Sequence, residues 1–185
     1  MLNKIKLYGR REKNLEKIVN FRDLGLSEAT LEAIGKKGYE TPSPIQALCI
    51  PRLLDGTKDV IGQAQTGTGK TAAFSLPIID RIERENYVQA IVLAPTRELV
   101  IQVAEEISSL KGDKRLRVLP IYGGSNIMHQ MKKLSDGIDI VVGTPGRVID
   151  LLDRKKLHLD KIKYFILDEA DEMLNMGFVE DIENI

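Results

Sequence analysis

The densest chemistry in the chain lies in Ala64-Gln65-Thr66-Gly67-Thr68-Gly69-Lys70-Thr71. Glycines at these spacings let backbone N–H groups turn inward around an anion. A helix opening at the end of such a loop adds the positive end of its dipole. In that setting Lys70 reaches terminal phosphates and the Thr71 hydroxyl ligates magnesium. The general pattern of such loops begins with Gly, whereas this one begins with Ala64. A second cluster, Asp168-Glu169, ends the apolar run Tyr164-Phe165-Ile166-Leu167. Asp168 is the natural magnesium partner, partly through water, and Glu169 orients or deprotonates an attacking water. Taken singly, a glycine-rich turn or an Asp-Glu pair is also an ordinary strand-to-helix connection. Together they predict a site for a magnesium nucleoside triphosphate, with Lys70, Asp168 and Glu169 as its catalytic groups.

Such groups need a scaffold that delivers them to one place. Short apolar runs alternate with helical segments after Asp59: Val60-Ile61, Ala90-Ile91-Val92-Leu93-Ala94, Arg117-Val118-Leu119-Pro120-Ile121, Ile138-Asp139-Ile140-Val141-Val142 and Tyr164-Phe165-Ile166-Leu167. Continuous rather than alternating apolar strands imply burial on both faces. That predicts an α/β domain with a mostly parallel sheet flanked by helices on both faces. The Val60-Ile61 run is read as the strand feeding the phosphate loop. Before it, Ser27 is expected to cap a helix over Glu28 to Lys36, stopped by Gly38. A second helix is expected from 44 to 54, broken or kinked at Pro51. Residues 1–20 read as a basic leader and 21–185 as one domain.

The bulk composition excludes several classes. Lys plus Arg number 27 and Asp plus Glu 27 in 185 residues, so no global basic field advertises a nucleic-acid partner. Any such contact must come from local groups. The lone cysteine, Cys49, lies in the apolar run Leu48-Cys49-Ile50 and reads as a packed core thiol in a reducing compartment. No signal peptide or membrane-spanning stretch is visible, so a cytoplasmic location is expected. His129 and His158 lack metal-ligand spacing and are expected on the surface. Oligomeric state is not readable.

With Asp168-Glu169-Ala170-Asp171 the chain resembles the DEAD-box ATP-dependent RNA helicases, particularly their bacterial members. The likeness spans 21–178 through Gly38-Tyr39-Glu40-Thr41-Pro42-Ser43-Pro44-Ile45-Gln46, residues 64–71, Pro95-Thr96-Arg97-Glu98-Leu99, Gly123-Gly124, Thr144-Pro145-Gly146-Arg147 and Asp168-Glu169-Ala170-Asp171. It implies a RecA-like phosphate-loop fold with ATP and magnesium as cofactors. It also implies an adenine pocket in which Gln46 reads the base edge, with Tyr39 and Phe21 packing on the ring and Thr41 beside them. A carboxamide suits this, because it donates and accepts at once. RNA is implied to run along Pro95, Thr96, Arg97, Gly123, Gly124, Thr144, Pro145, Gly146 and Arg147, and Asp171 to couple the domains. Thr96, Ser125 and Thr144 are each expected to cap a following helix. Contacts of this kind engage phosphate and sugar, so single-stranded or short duplex RNA would be held without sequence preference. Val100 stands where the family motif usually has Ala.

The family's Ser-Ala-Thr motif does not occur before Ile185. The resemblance therefore implies a domain lacking its last strand, cut from a C-terminal RecA-like domain that would supply arginines to the γ-phosphate. Arginine fingers contribute on the order of 10³ to 10⁵ in rate, so ATP binding with little turnover is expected. The competing readings are a non-catalytic RNA- or partner-binding module and an ATPase acting on DNA. The Asp-Glu-Ala-Asp string and Gln46 disfavour the DNA-acting enzyme.

Overall fold

The computed structural model describes residues 20–185. The leader expected at 1–20 lies, except for Asn20, outside them. The described chain forms two compact units, one of residues 20–81 with Ser109–Asp113 and one of Ile82–Ser108 with Lys114–Ile185.

The first unit is helical. A 3-10 turn at Phe21–Leu24 is capped by Asn20, whose side chain accepts from the Arg22 N–H at 3.0 Å. Helix α1 (Glu28–Lys36) starts at Ser27 as expected, and Gly38 follows its end at φ +80°. Asp80 ties this start down, accepting from the Ser27 N–H at 3.0 Å and the Thr30 hydroxyl at 2.6 Å. Helix α2 (Pro44–Asp55) continues through Pro51, so of the expected break or kink the break does not occur. The Arg52 side chain donates to the Leu48 carbonyl at 2.6 Å, next to the Ala47 carbonyl that Pro51 leaves without its helical donor. Helix α3 (Lys70–Arg81) packs on α2 through Ile45, Cys49 and Ala73.

The Val60-Ile61 run is not a strand. Residues 59–65 carry no ladder, and Ile61 is 75% exposed. A strand requires a hydrogen-bonded neighbour, and two apolar residues between Asp59 and Gly62 have none among the described residues.

The second unit holds a four-stranded, all-parallel sheet in the order β2-β3-β1-β4. Its strands are β1 (Ala90–Leu93), β2 (Val118–Ile121), β3 (Ile140–Gly143) and β4 (Tyr164–Leu167). Helices α4 (Arg97–Leu110), α5 (Ile127–Ser135), α6 (Pro145–Asp153), α7 (Ala170–Asn175) and α8 (Val179–Asn184) connect or follow them. The central strands β1 and β3 are buried throughout, as continuous apolar runs require. The reading fails for β4, an edge strand whose residues alternate half-buried and exposed, with Phe165 at 42% and Leu167 at 38%.

Two features fix the register of the sheet. At its starting end Asp139 is fully buried and accepts from the Glu85 N–H at 2.7 Å and the Arg117 N–H at 2.8 Å, with Arg84 Nε 3.7 Å away. At its finishing end Leu93 lies level with Gly143 and Leu167, and Gly143 with Ile121. A Cβ on Gly143 would stand 2.6 Å from Val148 and 2.7 Å from Ile121, so only glycine lets α6 approach this closely. All four strands therefore end in one row, and the residues that follow leave the sheet at the same edge.

Candidate functional site

In the first unit the phosphate loop is built by backbone conformation. Gly67 and Gly69 adopt φ +77° and +83°, the left-handed region that glycine occupies without strain. The Thr68 hydroxyl closes the turn by donating to the Gln65 carbonyl at 2.6 Å. Lys70 opens α3, so loop and helix start coincide. Gln65, Thr66 and Gly67 are exposed, and Ala64, Thr68, Lys70 and Thr71 half-buried.

Gln46 is joined to this loop. Its Nε2 donates to the Gly69 carbonyl at 3.2 Å, and its Oε1 accepts from the Ser43 N–H at 2.9 Å. A carboxamide has two N–H donors and two acceptor lone pairs. One of each is used by these two bonds. Gly69 is shaped by this contact, because a Cβ there would lie 2.3 Å from Gln46 Nε2. Phe21 is 3% exposed and meets Tyr39 edge-on, with ring centroids 5.8 Å apart. Tyr39 is the half-buried member of that pair, and Thr41 is exposed.

In the second unit Asp168 directly follows β4, and its N–H donates to the Leu93 carbonyl at 2.9 Å. It is 8% exposed, a carboxylate held at the carboxyl end of a parallel sheet, where ligands bind in such folds. Glu169 sits at φ +52°, ψ +49°. A non-glycine residue in that conformation costs about 1–2 kcal/mol, and strain of this kind gathers at functional positions. The short helix α7 begins immediately afterwards, and buried Met173 anchors it. Asp171 is exposed on its first turn.

The remaining motifs leave the same edge of the sheet. Pro95, Thr96 and Arg97 follow β1, Gly123 and Gly124 follow β2, and Thr144, Pro145, Gly146 and Arg147 follow β3. Thr96 caps α4, accepting from the Leu99 N–H at 3.2 Å. Ser125 is not a cap: Asn126 takes that place on α5, accepting from the Met128 N–H at 2.9 Å. The Ser125 hydroxyl instead donates to the Tyr122 carbonyl at 3.1 Å, a tighter local partner. Thr144 occupies the cap position of α6 without a side-chain bond, with Pro145 first in the helix. Arg97 lies over the Tyr122 ring, 5.0 Å from its centre. Arg147 turns inward, donating to Gln130 Oε1 at 3.0 Å and to the Ser125 carbonyl at 3.4 Å.

The sequence profile of the DEAD/DEAH box helicases matches residues 43–185. The chain belongs to the DEAD/DEAH box helicase family. It is 54% identical over 169 residues to the DEAD-box ATP-dependent RNA helicase CshA of Bacillus cereus, covering 91% of this chain and 32% of that protein. It is likewise 54% identical to the RNA helicase CrhR of Synechocystis, covering 89% of this chain and 33% of that protein. The crystal structure of a DEAD box protein from the hyperthermophile Methanococcus jannaschii superimposes with a TM-score of 0.86 at 53% identity, over 89% of this chain and 45% of that one. The chain thus spans about a third of the length of the curated bacterial relatives it matches.

Two buried polar residues of this family member are worth noting against the sequence: Asp139 at the starting end of the sheet and Gln130 beside the loop after β2. Asp139 is an acidic residue inside an apolar run, which is a signal in itself. Gln130 gave none: it is one polar residue on an amphipathic helix, yet it is 6% exposed and bonded to both Arg147 and the loop after β2. Among the described residues no helix is long and apolar enough to cross a membrane.

Proposed function

We propose that residues 21–185 are the ATP-binding portion of an ATP-dependent RNA helicase, taking ATP and magnesium as cofactors and RNA as a sequence-independent partner. The observation that carries the reading is the joining of Gln46 to the phosphate loop through Gly69 in a chain of this family. It couples a base-reading amide to the phosphate cradle, which a generic phosphate-loop protein has no reason to do.

In this reading the N–H groups of residues 64–71 bind phosphate oxygens and Lys70 adds charge-assisted contacts to the terminal phosphates. Tyr39 and Thr41 flank the base that Gln46 reads, with Phe21 supporting Tyr39. Thr71 and Asp168 would hold magnesium; a hydroxyl and a carboxylate are the hard oxygen donors this ion accepts, beside water and phosphate. Bound magnesium would neutralise charge on the β- and γ-phosphates. Glu169 orients the attacking water and takes its proton. The edge formed by Thr96, Arg97, Gly123, Gly124, Thr144, Pro145, Gly146 and Arg147, with Pro95 setting the turn, engages the phosphates and sugars of single-stranded or short duplex RNA. Asp171 takes part in coupling to a C-terminal RecA-like domain, and the working compartment is the cytoplasm.

Hydrolysis of ATP with RNA present tests the reading. ATP should bind, and turnover by residues 1–185 should stay near background until the C-terminal half is added. Rapid RNA-stimulated turnover by residues 1–185 alone would overturn the division of labour.

A further inference from the structure

The loop after β2 is held by a closed polar network. Gln130 Nε2 donates to the Tyr122 carbonyl at 3.2 Å and to the Ser125 hydroxyl, while Gln130 Oε1 accepts from Arg147 Nη1 at 3.0 Å. Arg147 also donates through Nη1 and Nη2 to the Ser125 carbonyl, each at 3.4 Å, and its Nε lies 3.8 Å from Asp150. Its side chain is only 12% exposed. The guanidinium is therefore spent largely on the protein's own groups. Between the fixed points Tyr122 and Ser125 stand Gly123 and Gly124, both exposed, and a Cβ on either would meet nothing within 4 Å. Arg97 stacks on Tyr122 at the same loop.

We infer that Gln130 is a positioning residue for nucleic-acid binding, clamping the Gly123-Gly124 backbone and directing Arg147 to hold that loop. This rests on the RNA reading of the strand-end edge and deepens it: Arg147 acts mainly through the loop rather than as a free charge for phosphate. The amide is well chosen. It must accept from a guanidinium on one side and donate to a carbonyl and a hydroxyl on the other, which neither a carboxylate nor an ammonium can do. A floppy glycine pair would have to be ordered on binding, and pre-ordering it removes that cost.

The test is binding of a fluorescent oligouridine by the 185-residue chain, titrated against salt. Gln130→Leu should weaken RNA about tenfold, the scale of losing bonds that order a loop, while leaving ATP affinity unchanged. Ser125→Ala, which leaves the Arg147 bonds to the Ser125 carbonyl in place, should weaken RNA in the same direction by a smaller factor. Gln130→Leu combined with Arg147→Met should cost no more than the larger single change, because both act through one loop. Full additivity, or unchanged RNA affinity in Gln130→Leu, overturns the inference. If Gln130→Leu does not fold, Ser125→Ala decides: unchanged RNA affinity there also overturns it. Absence of any RNA binding by the unaltered chain instead overturns the RNA reading beneath it.

Discussion

Two glycines in the phosphate loop separate backbone strain from a specific contact. Gly67 and Gly69 share nearly the same conformation, φ +77° and +83°, but a Cβ on Gly67 meets nothing within 4 Å while one on Gly69 lies 2.3 Å from Gln46 Nε2. Alanine at either position carries left-handed strain of about 1–2 kcal/mol, offset by about 0.4–1 kcal/mol from a stiffer unfolded chain. Gly67→Ala should therefore destabilise by about 0–1.6 kcal/mol, centred near 1. Gly69→Ala must in addition displace the Gln46 amide, losing its bond to the Gly69 carbonyl and disturbing the one from Ser43. Each neutral bond is worth about 0.5–1.5 kcal/mol, so Gly69→Ala should be the worse of the pair by about 1 kcal/mol or more. Urea unfolding measures that difference. Nucleotide titration gives the sharper contrast: Gly67→Ala should weaken ATP and GTP alike, whereas Gly69→Ala should also erode the preference for ATP. Equal stability losses and equal ATP-to-GTP ratios in the two variants would refute the coupling between Gln46 and the loop.

Three further outcomes follow from the packing. Asp139→Asn should destabilise by about 2–4 kcal/mol in thermal or chemical unfolding, because a buried carboxylate accepting two backbone N–H groups is replaced by an amide that can satisfy only one of them; a loss below about 0.5 kcal/mol would contradict the role of Asp139 in fixing the start of the sheet. Gly143→Ala should cost about 1–3 kcal/mol through overpacking against Val148 and Ile121, and Val148→Ala in the same chain should recover part of it. Burial pushes the Cys49 thiol above its ordinary value of 9.0. The folded state therefore favours the protonated form: this contribution is fully present below about pH 9 and is lost as pH rises through the folded value. Thiol-specific labelling near neutral pH should be slow until urea unfolds the chain, and fast labelling of the native protein would contradict a packed thiol.

Much of this was legible in the residues. Runs such as Ala90-Ile91-Val92-Leu93 and Ile140-Val141-Val142 gave strands buried on both faces, and Ser27 and Thr96 gave helix starts, because these depend on local chemistry. Failures came where a partner decides. Val60-Ile61 has strand composition but no ladder. Phe165 and Leu167 read as buried and are exposed, because β4 is an edge and edges are not written in a strand's own composition. Pro51 reads as a break or a kink, and α2 continues through it without the break. Ser125 and Asn126 are both good caps by type, and only the Tyr122 carbonyl, drawing off the serine hydroxyl, chose between them. Arg147 is read from the motif as a cation for RNA, and its inward engagement by Gln130, which depends on two helices meeting one loop, is not visible in the sequence.

The central claim is that this chain holds ATP in the loop of residues 64–71, and equilibrium titration with magnesium ATP and magnesium GTP tests it most directly. The unaltered chain should bind ATP saturably and in preference to GTP. Lys70→Ala should weaken ATP at least tenfold, the loss of one charge-assisted phosphate contact being about 1.5–3 kcal/mol. Equal affinity for ATP in the Lys70→Ala chain would contradict the account.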